Sequence, residues 1–376
     1  MKVYLDNAAT TPVNKEVLKE MLPYLKNKFG NASSIHRFGS ETREAVENAR
    51  KKIAEFINVT PEEIIFTSGG TESNNLVIKG LALANPNKKH IITSKIEHPA
   101  VLEVCKEMEK KGYNVDYISV DGEGIVDVGE IKNKIKPDTL IVSIMHVNNE
   151  TGSIQPIGEI AELCRASRVC FHTDAVQSFG KIKIDGSNFD FISASGHKIN
   201  ALKGVGILYV KKGLKIKPIF NGGGQERNIR SGTENVPGIV AFGKAVEIAE
   251  KEMRQTGKIK ELRDRLIAEL LKIDGTRLNG SKDRRIFNNV NVSFSDVEGE
   301  AVVLLLDEQG IASSTGSACS SHSLEPSQVL KAMGLNDSEA HSSLRLTLGW
   351  QNTKKEVDYT IQQIKKIVEK LRRIST

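Results

Sequence analysis

At 376 residues, 39% of them hydrophobic and 27% charged, the chain has the composition of a globular protein. It exceeds the size at which one core usually stops growing, so a large and a smaller body are expected. A net charge of +6 from 53 basic and 47 acidic residues is mild, and the densest basic run, Lys211 to Lys217, has no aromatics between its lysines, which argues against direct nucleic-acid binding as the main function. No apolar run approaches a membrane span, and the N-terminal MKVYLDNAATTP has neither a secretory h-region nor an Arg/Ser-rich amphipathic stretch, so a cytoplasmic protein is the expectation.

From Glu63 to Val210 short β-rich runs alternate with helical patterns, the signature of an α/β class built on a mostly parallel sheet. The predicted strands are Ile64–Ser68, His90–Ser94, Val115–Val120, Thr139–Val147, Val169–Ala175, Phe189–Ser195 and Gly204–Val210, seven in all. Between them Thr71–Ala84, Pro99–Gly112 and Pro156–Arg168 repeat apolar residues at spacings of three and four and read as helices. A glycine-rich loop, NGGGQERNIRSGTENVP, leads into one long helix over 238–273 that would bridge two bodies. Residues 288–295, 300–310 and 342–349 and a final amphipathic helix over 354–374 then read as a smaller α+β unit. We place the large domain at 15–255 and the small one at 1–14 and 256–376, with a cysteine-bearing loop at 313–326. There is no internal repeat.

Four cysteines are too few and too scattered for a disulfide framework or a CxxC metal site. Cys105, Cys164 and Cys170 sit among apolar helix or strand residues and read as small hydrophobes. Cys319 lies in SSTGSACSSHSLEP, among small polar residues that neither bury nor pair it.

In an open α/β sheet ligands bind beyond the carboxyl ends of the strands, and polar residues cluster there. Gly69–Gly70 before Thr71 can aim a helix N-terminus at a phosphate or simply form a capped turn. His98 is either structural or catalytic. Asn148 and Asn149 are turn formers or donors to a ligand. Asp174, closing an apolar strand, is an N-cap or the partner of a buried cation, with Gln177 one turn on. Lys198 follows a strand directly, where desolvation would let it form a Schiff base; in isolation the surface-lysine reading is the favoured one. Together, a phosphate cradle, a strand-end aspartate and a strand-end lysine are the parts that hold pyridoxal 5′-phosphate, with His98 able to stack on the ring.

The motifs YLDNAATTP, FGNASSIHRFG, FTSGGTESNN, EHPA, HVNNETG, DAVQSFG, SASGHK, GGGQERNIRSGT, STGSACSSHSLEPS and SSLRLTLG resemble, in order and over nearly the whole chain, those of the cysteine desulfurases of the class V aminotransferase group. The resemblance implies a fold-type I pyridoxal-phosphate transferase with a seven-stranded, mostly parallel sheet domain and a smaller α+β domain. It implies Lys198 as the Schiff-base lysine, His98 as the stacking and proton-moving residue, Asp174 on the ring nitrogen and Gln177 on the ring hydroxyl. Gly70, Thr71, Ser195 and His197 would hold the phosphate, together with Thr233 from the other subunit of a homodimer. Asn149 and Arg345 would bind the substrate carboxylate, and Asn149 the cofactor too.

The implied reaction takes L-cysteine to L-alanine and leaves its sulfur on Cys319 as a persulfide. The sulfur would go to an iron–sulfur scaffold protein or another acceptor, with tRNA thiolation a second destination, and Cys319 would serve as a transient ligand of a [2Fe-2S] cluster shared with the partner. His322, three residues beyond, is either solvated or tunes the Cys319 thiol. A selenocysteine lyase, another β-lyase on the same scaffold, or mainly a cluster-assembly platform are the competing readings. Two departures stand out: Ala201–Leu202 where family members carry Gly-Pro, and GNASS where they carry Gly-Asn-Pro-Ser-Ser.

Overall fold

The structure, a computed structural model, describes residues 1–316 and 325–375. Its strands are β1 (Val3–Tyr4), β2 (Ile64–Thr67), β3 (His90–Ser94), β4 (Asn114–Ile118), β5 (Thr139–Ser143), β6 (Cys170–Asp174), β7 (Phe191–Ser195), β8 (Gly206–Val210), β9 (Thr276–Leu278), β10 (Asn289–Phe294), β11 (Ile311–Ala312) and β12 (Ser343–Thr347). The helices are α1 (Lys15–Lys26), α2 (Arg37–Phe56), α3 (Gly70–Ala84), α4 (Pro99–Lys110), α5 (Val128–Lys134), α6 (Ile157–Ser167), the single turn α7 (Gln225–Asn228), α8 (Val236–Glu252), α9 (Thr256–Leu270), α10 (Gly299–Glu308), α11 (Gln328–Ala332), α12 (Asp337–His341) and α13 (Lys354–Ser375).

All seven strands expected between residues 63 and 210 form one sheet, in the order β2-β8-β7-β6-β5-β3-β4. It is the α/β, mostly parallel sheet that the sequence predicts: β4, β3, β5, β6 and β7 run parallel, and β8 is antiparallel to both its neighbours. The inner strands read as unbroken apolar runs because both faces are covered. Residues of alternating parity enter different cores: Ile64, Phe66, Ile207 and Tyr209 pack with α2, α6 and α8, whereas Ile65, Leu208 and Val210 pack with α3 and α4.

A third apolar cluster joins Val3, Leu5, α9, β10, α10, β12 and α13. The helix expected over 238–273 is two helices. α8 packs in the sheet's core and α9 in the third cluster, and a 3-10 turn at Met253–Gln255 separates them. The polar run KEMRQTGK offers no apolar face there, so each helix follows the core that buries it.

The chain leaves β3, adds β4 on one side, then returns to add β5 on the other side of β3. That reversal opens a crevice beyond the carboxyl ends of β3 and β5. A small cluster of Ile96, Met145, Val329, Leu330, Met333 and Leu335 packs α11 against the same two strand ends. Among the described residues no helix is long and apolar enough to cross a membrane.

Candidate active site

A cleft of 590 Å³ occupies this crevice, and Gly70, Thr71, His98, Asn149, Asp174, Gln177, Ser195, His197, Lys198 and Arg345 all line it. Thr233 lies outside it and is exposed. Cys319 and His322 fall outside the described residues; Gly316 and Glu325, which bracket them, both line the cleft.

The floor is built from strand ends. At the end of β6, Asp174 Oδ2 accepts from Asn74 Nδ2 at 2.7 Å and Oδ1 accepts from the Val176 amide at 2.9 Å. This carboxylate therefore caps its own turn while remaining in the cleft. Asn74 Oδ1, buried, has no partner among the described residues. At the end of β7, Lys198 Nζ donates to the carbonyls of Ala8 and Ala9 at 2.5 and 2.7 Å, and Gln177 Nε2 donates to Ala8 O at 2.9 Å.

The segment 7–11 thus forms a shelf under both residues. His197 is tied to it through Thr10 Oγ1 at 3.1 Å, and Thr11 Oγ1 donates to His197 O at 2.8 Å. Asn200, left-handed at φ 65, donates from its backbone N–H to Thr11 Oγ1 and from its side chain to Pro12 O. Those bonds brace the turn after Lys198 where Ala201–Leu202 replaces Gly-Pro.

The wall is the start of α3. Gly69 (φ 153) is its N-cap and brings no side chain to bond the first-turn amides. A Cβ on Gly206 would lie 2.6 Å from Gly69 Cα, so glycine permits this close backbone approach. An uncapped helix N-terminus beside Ser195 and His197 is an anion cradle. Burial, then the charges of Lys198, Lys203 and Lys181, bring the His197 pKa down to about 4, which leaves a neutral ring able to donate to an anion.

His98 N-caps α4, its Nδ1 accepting from the Ala100 amide at 3.1 Å. Burial lowers its pKa, Asp174 opposes that, and Lys198 adds to it, so the imidazole is held toward its neutral form. The preceding Glu97 is 2% exposed, accepts from Ser94 Oγ at 2.6 Å and the Met145 amide at 2.9 Å, and is pushed up to about 8 by burial and, in smaller part, by Asp174.

Across the cleft Arg345, on β12, donates from Nη1 to Asn149 O at 3.1 Å and from Nη2 to Asp6 Oδ1 at 2.9 Å. Its buried Nε has no partner among the described residues. Glu150 accepts from Ser327 Oγ at 2.5 Å, and a Cβ on Gly316 would come 2.5 Å from Glu150 Oε2. This fully buried carboxyl, its pKa raised by burial against Ser327 and Arg345, touches both flanks of the 317–324 segment.

Thr233 follows a loop clamped at two points. Glu226 bonds Arg50 twice, at 2.7 and 2.8 Å, and Arg230 bonds Glu72 of α3 at 2.8 Å. The described thiols are poor nucleophiles: burial pushes Cys105 and Cys164 up to about 12 and Cys170 up to about 11. No cluster of three or more metal-ligating side chains occurs among the described residues.

The reading from residues alone missed Asn74, Glu97, Asp6, Glu150 and the Ala8–Ala9 carbonyls. Asn74 carried a usable signal, lying one helical turn after Thr71 and so on the same face of α3. Glu97 and Glu150 sit directly beside His98 and Asn149, but their burial and their partners show only in the fold; Asp6 comes from a remote segment, and the Ala8 and Ala9 groups act through backbone.

The residues present fit pyridoxal phosphate: an uncapped helix end for the phosphate, a buried carboxylate with an amide beside it for the ring nitrogen, and a lysine held at the facing wall. The Aminotransferase class-V family profile matches residues 3–360. A cysteine desulfurase IscS of Dictyoglomus turgidum is 53% identical, covering 100% of this chain and 96% of that protein, and one of Methanosarcina thermophila is 52% identical, covering 99% and 93%. Among solved structures, a NifS-like protein superposes with a TM-score of 0.93 at 39% identity, covering 98% and 100%, and SspA in complex with cysteine gives 0.83 at 38%, covering 92% and 99%. With the strand-end lysine, histidine and aspartate meeting in one cleft, these likenesses place the chain in the class V aminotransferase family, among its cysteine desulfurases.

Proposed function

We propose that the protein converts L-cysteine to L-alanine with pyridoxal phosphate and transfers the sulfur to Cys319 as a persulfide for iron–sulfur cluster assembly. The observation that carries this reading is the convergence of Lys198, His98 and Asp174 in one cleft, with Arg345 opposite and both flanks of the Cys319 segment at its lining. When bound, the cofactor supplies an aldehyde that engages amino groups and a ring that withdraws electrons from the substrate Cα.

The chain does the rest. The α3 N-terminus, Ser195 and His197 hold the phosphate, joined by Thr233 from the second copy in a homodimer. Asp174 holds the ring nitrogen in its protonated form, and Gln177 meets the ring hydroxyl. Arg345, aimed by Asp6 and the Asn149 carbonyl, receives the substrate carboxylate beside Asn149. Lys198, as an amine, takes the Cα proton and returns it, and the neutral His98 exchanges a proton at the same face. The Cys319 thiolate attacks the substrate sulfur. The S–S bond forms as the C–S bond breaks, and the carbon skeleton leaves as alanine after protonation.

The apolar clusters support a division at residues 15–255 against 1–14 and 256–376. Cytoplasmic location, delivery to a scaffold protein and a [2Fe-2S] cluster shared transiently through Cys319 belong to the same reading.

Mixing the loaded protein with cysteine and digesting it for mass spectrometry is expected to show one added sulfur on the peptide bearing Cys319, with alanine released. In Cys319→Ser both disappear; sulfur on Cys105, Cys164 or Cys170 instead would overturn the assignment. Arg345→Gln is expected to cut kcat/KM for cysteine by about 10–100-fold, mostly through KM, as loss of a charged hydrogen-bonding group does. An unchanged KM would remove Arg345 from the substrate site.

A further inference from the structure

The two carboxylate oxygens of Asp174 are held from different elements. Oδ1 takes the amide of Val176, in its own turn, and Oδ2 takes Asn74 Nδ2, from α3. One bond alone leaves a carboxylate free to swing about it; a bond to each oxygen fixes its plane. The Asn74 amide is oriented by the same contact, because a carboxylate only accepts and the nitrogen must face it.

The amide oxygen is then turned away and stays buried without a partner among the described residues. A buried acceptor without a donor is unfavourable, so packing alone does not account for an asparagine here. Its side chain is 1% exposed, and the bond it makes goes to Asp174.

The position of Asn74 is set by how α3 is anchored. Ser73 Oγ donates to Ile207 O of β8 at 2.8 Å and lies 2.8 Å from Thr67 Oγ1 of β2. Glu72 takes the Ser68 amide at 2.7 Å and Arg230 Nε at 2.8 Å. A Cβ on Gly70 would lie 2.6 Å from Val176 Cγ2, so glycine lets the start of the helix seat on the turn that follows Asp174. Thr71 and Asn74, three residues apart, share one face of this helix, and both line the cleft.

We propose that Asn74 is a positioning residue for Asp174: bonded to Oδ2 from the helix whose N-terminus forms the anion cradle, it fixes the carboxylate plane for the ring nitrogen. One anchored helix then governs both ends of the bound cofactor, the phosphate directly and the ring nitrogen through Asp174. The inference rests on the reading that Asp174 meets the ring nitrogen of pyridoxal phosphate. A directional contact of this kind depends on neighbours that lock the rotation of the group making it.

The test uses deazapyridoxal phosphate, which has carbon in place of the ring nitrogen and keeps the aldehyde, hydroxyl and phosphate. The ratio of its dissociation constant to that of pyridoxal phosphate, measured by equilibrium dialysis on the full-length chain freed of cofactor, reads the contact at the ring nitrogen. In Asn74→Leu, similar in shape but without a donor, and in Asn74→Ala, this ratio is expected to fall about 3–10-fold from the wild-type value. A merely structural role would weaken both ligands alike, so an unchanged ratio in a variant whose circular dichroism matches the wild type overturns the inference. The wild-type ratio separates the two levels. A value near one removes the Asp174 reading and the inference with it, whereas a large value that persists in both variants removes the inference alone.

Discussion

Lys198→Ala is expected to lose all covalent capture of pyridoxal phosphate and to turn over cysteine slower by a factor of about 10³ or more, the scale set by removing a nucleophile that is also the acid–base group. The geometry leaves no substitute amine. Lys95 also lines the cleft, but it is exposed and its Nζ donates to Ser119 Oγ at 3.0 Å. Lys181 lies outside the cleft lining. The measurement is near-visible absorbance together with mass spectrometry after borohydride reduction. A variant that still holds the cofactor covalently would assign the role to Lys95 and sink the mechanism. The same substitution frees the Ala8 and Ala9 carbonyls, so thermal unfolding should be followed alongside to keep a stability loss apart from a chemical one.

Glu226→Gln is expected to produce the largest stability loss of any single change discussed, about 3–5 kcal/mol. Arg50 and Glu226 are each only 4% exposed at the side chain. The carboxylate receives two guanidinium bonds and the Phe66 amide at 2.7 Å, while Arg50 also donates to Ile64 O at 2.7 Å. A neutral amide leaves the buried guanidinium only the exposed Glu47, 3.1 Å from Nε, as counter-ion, and one of the three donors without an acceptor.

The backbone raises the stakes, because Glu226, Arg227 and Asn228 hold φ of 44, 57 and 62 in succession, a left-handed run costly for residues with a Cβ. Denaturant unfolding followed at two wavelengths is the check. A midpoint within error of the wild type would show that the ion pair does not hold this loop.

The sheet was readable because its strands are buried on both faces, which turns them into short apolar runs bounded by polar residues. The same polar boundaries exposed Lys198, Asp174 and His98, since a parallel sheet gathers its strand ends at one edge. Reading failed where a role depends on distant segments. Asp6 matters through Arg345, 339 positions away, and Glu150 through Ser327, 177 away; neither pairing leaves a local pattern. The single helix expected over 238–273 failed for another reason: its polar middle looks like an exposed helix face, and only the existence of two separate cores shows why the chain turns there. The residues 317–324, which hold Cys319, lie outside the described structure, so the sequence remains the only account of them.

The shelf beneath Lys198 has a consequence for the order in which the protein can be made. Residues 7–11 support the lysine, yet β1 is held by β11, and Asn7 and Ala8 are held by Thr347. Asn7 and Ala8 therefore meet Thr347 only after some 340 more residues have been synthesised, and closing so long a loop comes late in folding. The sheet can assemble during translation. The floor on which the catalytic lysine rests cannot, so a nascent chain stalled before β12 would carry every strand-end residue of the large sheet and still lack a finished place for the cofactor.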